Sequence, residues 1–146
     1  VLPSLSAVIT LGACWIALWD VRHRRIPNGQ VGLLLLLTWL AALMGGNWPE
    51  ALQSFTLATV IGLGLYLVRF WAGGDAKLYM ALAPLMTPDE LLRASFWILL
   101  IGGVLAAGYL IKYRIFDRSK EDPGLPYGLA ILLGVGFQLL ISTSNT

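Results

Sequence analysis

Charge is scarce in this chain. Only 12% of its 146 residues are Asp, Glu, Lys or Arg, against about 25% in an ordinary soluble domain. One cysteine, Cys14, excludes an internal disulfide and a Cys-based zinc cage, and one histidine, His23, excludes a His-rich centre, so no metal site is expected. No GxSxG elbow or comparable nucleophile turn is present. The net charge of +2 comes from bases confined to short loops, so there is no basic domain to hold nucleic acid. What fills the chain instead is apolar: 58% of residues are hydrophobic and the mean hydropathy is +0.75. Eight acids and ten bases cannot coat a soluble exterior. The composition is that of an integral membrane protein, with lipids as its first partner.

Six apolar stretches free of Asp, Glu, Lys and Arg emerge, at 1–19, 29–49, 51–68, 78–88, 94–111 and 123–146. A spanning helix needs about 20 residues, within a range of about 17–25. Only 78–88 falls short, and it reads as a re-entrant turn, an interfacial helix, or a short span beginning near Gly74. Cytoplasmic loops collect Lys and Arg, which discriminates among these. Six crossings with the N-terminus outside put Arg22, Arg24, Arg25, Arg69, Lys77, Lys112, Arg114, Arg118 and Lys120 inside and only Arg93 outside, a ratio of nine to one. Without a crossing at 78–88 the ratio becomes six to four. The expected fold is therefore all-α, one membrane domain over 1–146 with six transmembrane helices, the fourth short.

Loop chemistry agrees with this partition. Ile26-Pro27-Asn28 breaks the first helix and offers Asn28 as N-cap of the second, and Gly45-Gly46-Asn47-Trp48-Pro49 and the Pro84 to Pro88 segment make tight outer turns. Leu11-Gly12-Ala13-Cys14 loosely resembles a lipoprotein cleavage box. The basic cluster Arg22-His23-Arg24-Arg25 lies on the wrong side of it for a signal peptide, so the first helix is expected to be retained. A start at Val1 rather than Met points to a few residues before it. The polar segment 112–126, with Asp117, Glu121 and Asp122 alternating with bases, is expected to be a solvated inner loop. Trp19, Trp48 and Trp71 lie near span ends and read as interfacial anchors, His23 reads as solvated, and Cys14 reads as plain packing. Gly102-Gly103 and Gly62-x-Gly64 suit close helix packing and, more weakly, a homo-oligomer.

Carboxylates bordering a span are costly and are functional-site hypotheses by default. Asp20 follows Trp19 at the inner end of the first helix, and Asp75 follows Gly73-Gly74 at the inner start of the fourth. Two carboxylates at one membrane face can divide acid and base work on a peptide carbonyl without a metal or a nucleophilic side chain. Glycines beside the acid leave room for another backbone to approach. Each acid also has a structural reading: Asp75 as an N-cap in the helix dipole, Asp20 as an interfacial acid neutralised by Arg22 or Arg24.

Asp20 followed by Arg24-Arg25-Ile26-Pro27-Asn28, then Ala72-Gly73-Gly74-Asp75-Ala76-Lys77-Leu78 and Pro126-Tyr127-Gly128-Leu129-Ala130-Ile131, resembles the type IV prepilin peptidases. That family consists of polytopic aspartyl proteases of the bacterial inner membrane, related to the GxGD intramembrane proteases such as the preflagellin peptidases and presenilin. The resemblance implies Asp20 and Asp75 as catalytic acids facing the cytoplasm and no cofactor. It implies as substrate a prepilin, a short basic leader followed by a hydrophobic helix. Gly73, Gly74, Lys77, Pro27 and Asn28 match family positions as supporting or substrate-binding residues. Ala72 stands where the GxGD pattern has its first glycine. Bifunctional members carry a zinc-binding, methylating insertion between the first two helices, and only a short link stands there in this chain. It therefore resembles the peptidase-only branch of tight-adherence (Flp) pili. The alternative from another class is a non-enzymatic membrane subunit, a small transporter or pilus-assembly scaffold; that would favour polar groups near the midplane, and both acids lie at one edge.

Overall fold

The computed structural model describes residues 3–116 and 125–144. It is all-helical over these residues, with α1 at Pro3–His23, α2 at Asn28–Met44, α3 at Trp48–Leu67, α4 at Gly73–Leu82, α5 at Pro88–Ile111 and α6 at Tyr127–Ser144. A 3₁₀ turn, Ala83–Leu85, follows α4, and a π-helical turn, Lys112–Phe116, extends α5. The inner-loop residues Asp117, Arg118, Ser119, Lys120, Glu121 and Asp122 lie outside the described residues.

Four helices, α1, α3, α5 with its extension, and α6, are long and apolar enough to cross a bilayer, and α2 is a shorter apolar helix. At 1.5 Å per residue α4 is about 15 Å long, half the hydrocarbon thickness. Its position explains how so short a helix is tolerated. It packs against α2, α3 and α6, and Leu78, Tyr79, Ala81 and Leu82 are buried on all sides of it. The carbonyls beyond a helix's last turn need donors where water is absent. Thr38 of α2 donates to the Ala81 carbonyl at 2.8 Å, and Ser54 of α3 donates to the Met86 carbonyl at 2.6 Å. Both hydroxyl residues are buried. Thr87 then starts α5 with a capping box, accepting from the Glu90 N–H while Glu90 accepts from the Thr87 N–H.

Glycines set the closest approaches. A Cβ on Gly134 of α6 would lie 2.8 Å from the Ile98 backbone nitrogen of α5, and one on Gly102 of α5 would overlap the Tyr127 ring. Gly62 of α3 packs on Ala76 of α4, whereas Gly64 and Gly103 face open space, so one glycine of each noted pair makes a helix contact.

Three local expectations are corrected. Pro27, not Asn28, is the N-cap of α2: its ring holds φ at −69° with ψ at 129°, and Asn28 is the first helical residue. Trp71 is buried rather than interfacial, because the turn after α3 folds its ring inward against Tyr79 at 5.1 Å and Tyr127 at 5.8 Å. Cys14 is exposed on the outer surface of α1 rather than packed in the core. His23 is exposed and stacks on Trp19 with ring centroids 4.1 Å apart.

Candidate active site

Asp20 belongs to the last turn of α1, which ends because Arg24 takes a left-handed conformation, φ 53°. The Arg24 N–H still bonds the Asp20 carbonyl at 2.8 Å. The carboxylate is turned inward and is only 5% exposed. Its Oδ2 accepts the backbone N–H of Gly128, in the first turn of α6, at 3.1 Å. That N–H is one of the unpaired donors every helix start presents, and the positive end of the helix dipole reinforces it. Only glycine permits this approach: a Cβ at position 128 would stand 2.6 Å from the same oxygen.

Asp75 is the third residue of α4 and is 8% exposed. Ala72, extended at ψ 160°, is the N-cap. The Ala72 N–H donates to Asp75 Oδ2 at 3.2 Å. This is one half of a capping box; alanine has no side-chain acceptor to complete it. The capping role expected of Asp75 is thus filled by its side chain, while its carboxylate also lines the cleft. Of the two preceding glycines, Gly74 is the constrained one, since a Cβ there would lie 3.2 Å from Ile26 Cβ, while one on Gly73 would make an ordinary 3.6 Å contact with Tyr66. Ile26 also reaches within 3.1 Å of a Cβ on Gly128. Its buried side chain is thus wedged between the two segments that fix the acids.

Both carboxylates line one cleft of about 700 Å³, with Trp19, Ile26, Pro27, Asn28 and Gly74 among its walls. They are close enough for the Asp20 charge to act on Asp75, and the Arg24 charge acts on Asp20. Burial and mutual repulsion both disfavour two full negative charges; the positive ends of α4 and α6 offset part of that cost. Arg24 is held by α5, where its guanidinium donates to the Tyr109 hydroxyl at 2.7 Å and sits 5.2 Å from the ring centroid. At the rim, Lys77 Nζ donates to Asn28 Oδ1 at 3.1 Å, tying the start of α4 to the start of α2.

Asp20, Asp75, Gly74, Pro27 and Asn28 therefore meet at one cleft, with Lys77 bonded to its edge; Gly73 stands behind Asp75, against Tyr66. The sequence alone assigns no structural role to Gly128 or Ile26 and only an interfacial one to Trp71. Their roles depend on contacts between distant segments, and the Pro126-Tyr127-Gly128 block was the one signal that could have pointed to Gly128. A buried carboxylate pair at the mouth of an apolar bundle is suited to proton exchange with a polarised carbonyl and a water.

A sequence model described as the type IV leader peptidase family matches residues 7–111, a segment that contains both acids. Over 94 residues, 59% of this chain, the sequence is 37% identical to prepilin peptidase EppA of Methanothermobacter thermautotrophicus, and the match covers 24% of that protein. The chain thus spans about a quarter of the length of this curated relative. No solved structure matches it.

Proposed function

The chain belongs to the type IV leader peptidase family, and from that premise we propose that it is a membrane-embedded aspartyl endopeptidase cleaving prepilin leaders at the cytoplasmic face. The observation that carries the reading is that Asp20 and Asp75, brought from different helices, are both buried and face one cleft.

In this mechanism the two carboxyl groups share one proton. The ionised acid takes a proton from water, whose oxygen attacks the scissile carbonyl carbon. The protonated acid gives its proton to the carbonyl oxygen. Collapse of the tetrahedral intermediate breaks the C–N bond: the acid that gained a proton from water protonates the leaving amine, and the other acid takes back a proton from a diol hydroxyl, leaving a carboxylic acid and restoring the shared proton. The Gly128 and Ala72 N–H groups fix one oxygen of each carboxylate, which orients the other toward the substrate. Gly74 and Ile26 keep the two supports at a set separation.

The chain crosses the inner membrane six times with its N-terminus outside, and α4 serves as the short fourth crossing. The nine-to-one distribution of bases supports this orientation. Helices α1 and α2 are joined by residues 24–27, which supports a peptidase without the zinc-binding, methylating insertion and an Flp-like prepilin as substrate.

The test is cleavage of a type IV prepilin in membranes by the full chain and its variants. Asp20→Asn and Asp75→Asn should each abolish cleavage while remaining inserted. Cleavage near the wild-type rate by either inserted variant would overturn the dyad, and activity lost to a chelator and restored by zinc would overturn a metal-free mechanism.

A further inference from the structure

A second cavity, of about 430 Å³, opens between α1 and α6 and is floored by the end of α4. Its wall is apolar: Ala13, Cys14 and Ala17 come from α1, Leu82 from α4, and Leu129 and Gly136 from α6. On both walls the inner end of the groove lies close along the chain to the residues that hold Asp20. Ala17 lies one helical turn before Asp20, and Leu129 directly follows Gly128, whose N–H holds Asp20. The lining stretch of α1, residues 9–18, is about 14 Å long at 1.5 Å per residue.

Leucines make up half of the groove's lining, and small residues stand among them. Ala13 and Ala17 are one turn apart on one wall, and Gly136 stands on the other with nothing within 4 Å of where its Cβ would be. Small residues at such spacing let another helix backbone come close, the main source of helix association in lipid. Cys14 is exposed, and so are Leu18 and Leu133 at the rims; the groove is open to the membrane along its length.

We propose that this groove seats the apolar helix of the substrate, just beyond the bond that is cut. The proposal rests on the leader-peptidase reading and adds where the substrate's membrane segment lies. A peptide bond held between Asp20 and Asp75 continues into the bilayer along one direction. The two helices that fix Asp20, α1 by carrying it and α6 by the Gly128 bond, are also the walls of the groove. An uncharged groove whose inner end lies one helical turn from Asp20 suits a chain whose apolar helix is joined directly to the scissile bond.

Cys14, the single cysteine of the chain, is a native probe in the groove wall. A type IV prepilin carrying one cysteine, moved stepwise along its apolar helix, is mixed in membranes with the full-length Asp75→Asn variant, which leaves it uncut. Cross-linking from Cys14 should recur every three to four substrate positions. In parallel, Gly136→Phe, which fills the groove, should raise KM for the prepilin about tenfold with kcat little changed. Gly64→Phe on the outer face of α3, equally free of neighbours, should leave both constants unchanged.

Equal effects of Gly64→Phe and Gly136→Phe would overturn the proposal. So would Cys14 joining only to Cys14 of a second copy, or an absence of adducts together with wild-type KM in Gly136→Phe, the result for a groove filled by lipid alone. Failure of the wild-type chain to cleave any prepilin would overturn the peptidase reading itself; cleavage without a Cys14 adduct or a KM effect overturns the groove alone.

Discussion

Gly128 and Asp20 are 108 positions apart in the chain and 3.1 Å apart in space, joined by the bond from the Gly128 N–H to Asp20 Oδ2. This contact makes the start of α6 part of the site, although the family match ends at residue 111. It also solves a physical problem for a carboxylate at a membrane-facing helix end, since the orphan N–H of a helix start supplies a donor that water would otherwise provide.

Gly128→Ala should therefore damage activity more than its size suggests. The added Cβ would press on Asp20 Oδ2 from 2.6 Å, and a displacement near 1 Å at a reacting group costs on the order of a hundredfold in rate. Prepilin cleavage should fall by about that factor while expression and insertion persist. A variant with unchanged kcat would show that the Gly128 bond does not position Asp20.

Trp71 predicts a stability effect. It is buried between Tyr79 and Tyr127 and joins the α3–α4 turn to α6. Aromatic-to-alanine changes in a core cost about 3–5 kcal/mol. Trp71→Ala should lower the thermal unfolding midpoint in detergent clearly, and Trp71→Phe by much less. An unshifted midpoint in Trp71→Ala would return Trp71 to an interfacial role.

The Lys77 to Asn28 bond predicts a non-additive pair. It is exposed, so its net worth is about 1 kcal/mol or less. Lys77→Met and Asn28→Ala should each change kcat/KM by no more than about fivefold, and the double variant should match the larger single effect rather than their product. A product of the two effects would mean that the side chains act on the substrate separately.

Topology has its own check. Asn47 and Thr87 line one small cavity at the end of the bundle away from the acids. In a Cys14→Ala background, cysteines at these two positions should react with an impermeant thiol reagent applied outside intact cells, and a cysteine at Ser119 should not. Outside labelling at Ser119 would show that the α4 segment does not cross.

Much of the molecule is legible along the chain because lipid imposes one strong rule, that apolar runs become helices with their own hydrogen bonds satisfied. The six helices, the short fourth starting near Gly74, and the two acids at helix ends follow from runs, breaks and Lys/Arg placement. Asn28 shows where local reading fails: its type favours a cap, yet Pro27 fixes the helix start one residue earlier and leaves Asn28 to bond Lys77. Trp71 fails for the same reason, since a window of neighbours cannot show that a turn folds the ring under α6.

Sequence by itself determined that this chain is a helical membrane protein with carboxylates at Asp20 and Asp75, since hydropathy and charge are properties of consecutive residues. Only the tertiary structure decided that both acids are buried in one cleft, that Thr38 and Ser54 complete the end of α4, and that Gly128 and Ile26 hold the pair in place. Those facts depend on distances between segments far apart in the chain, set by how closely helices pack where a side chain is missing, and no local pattern encodes them.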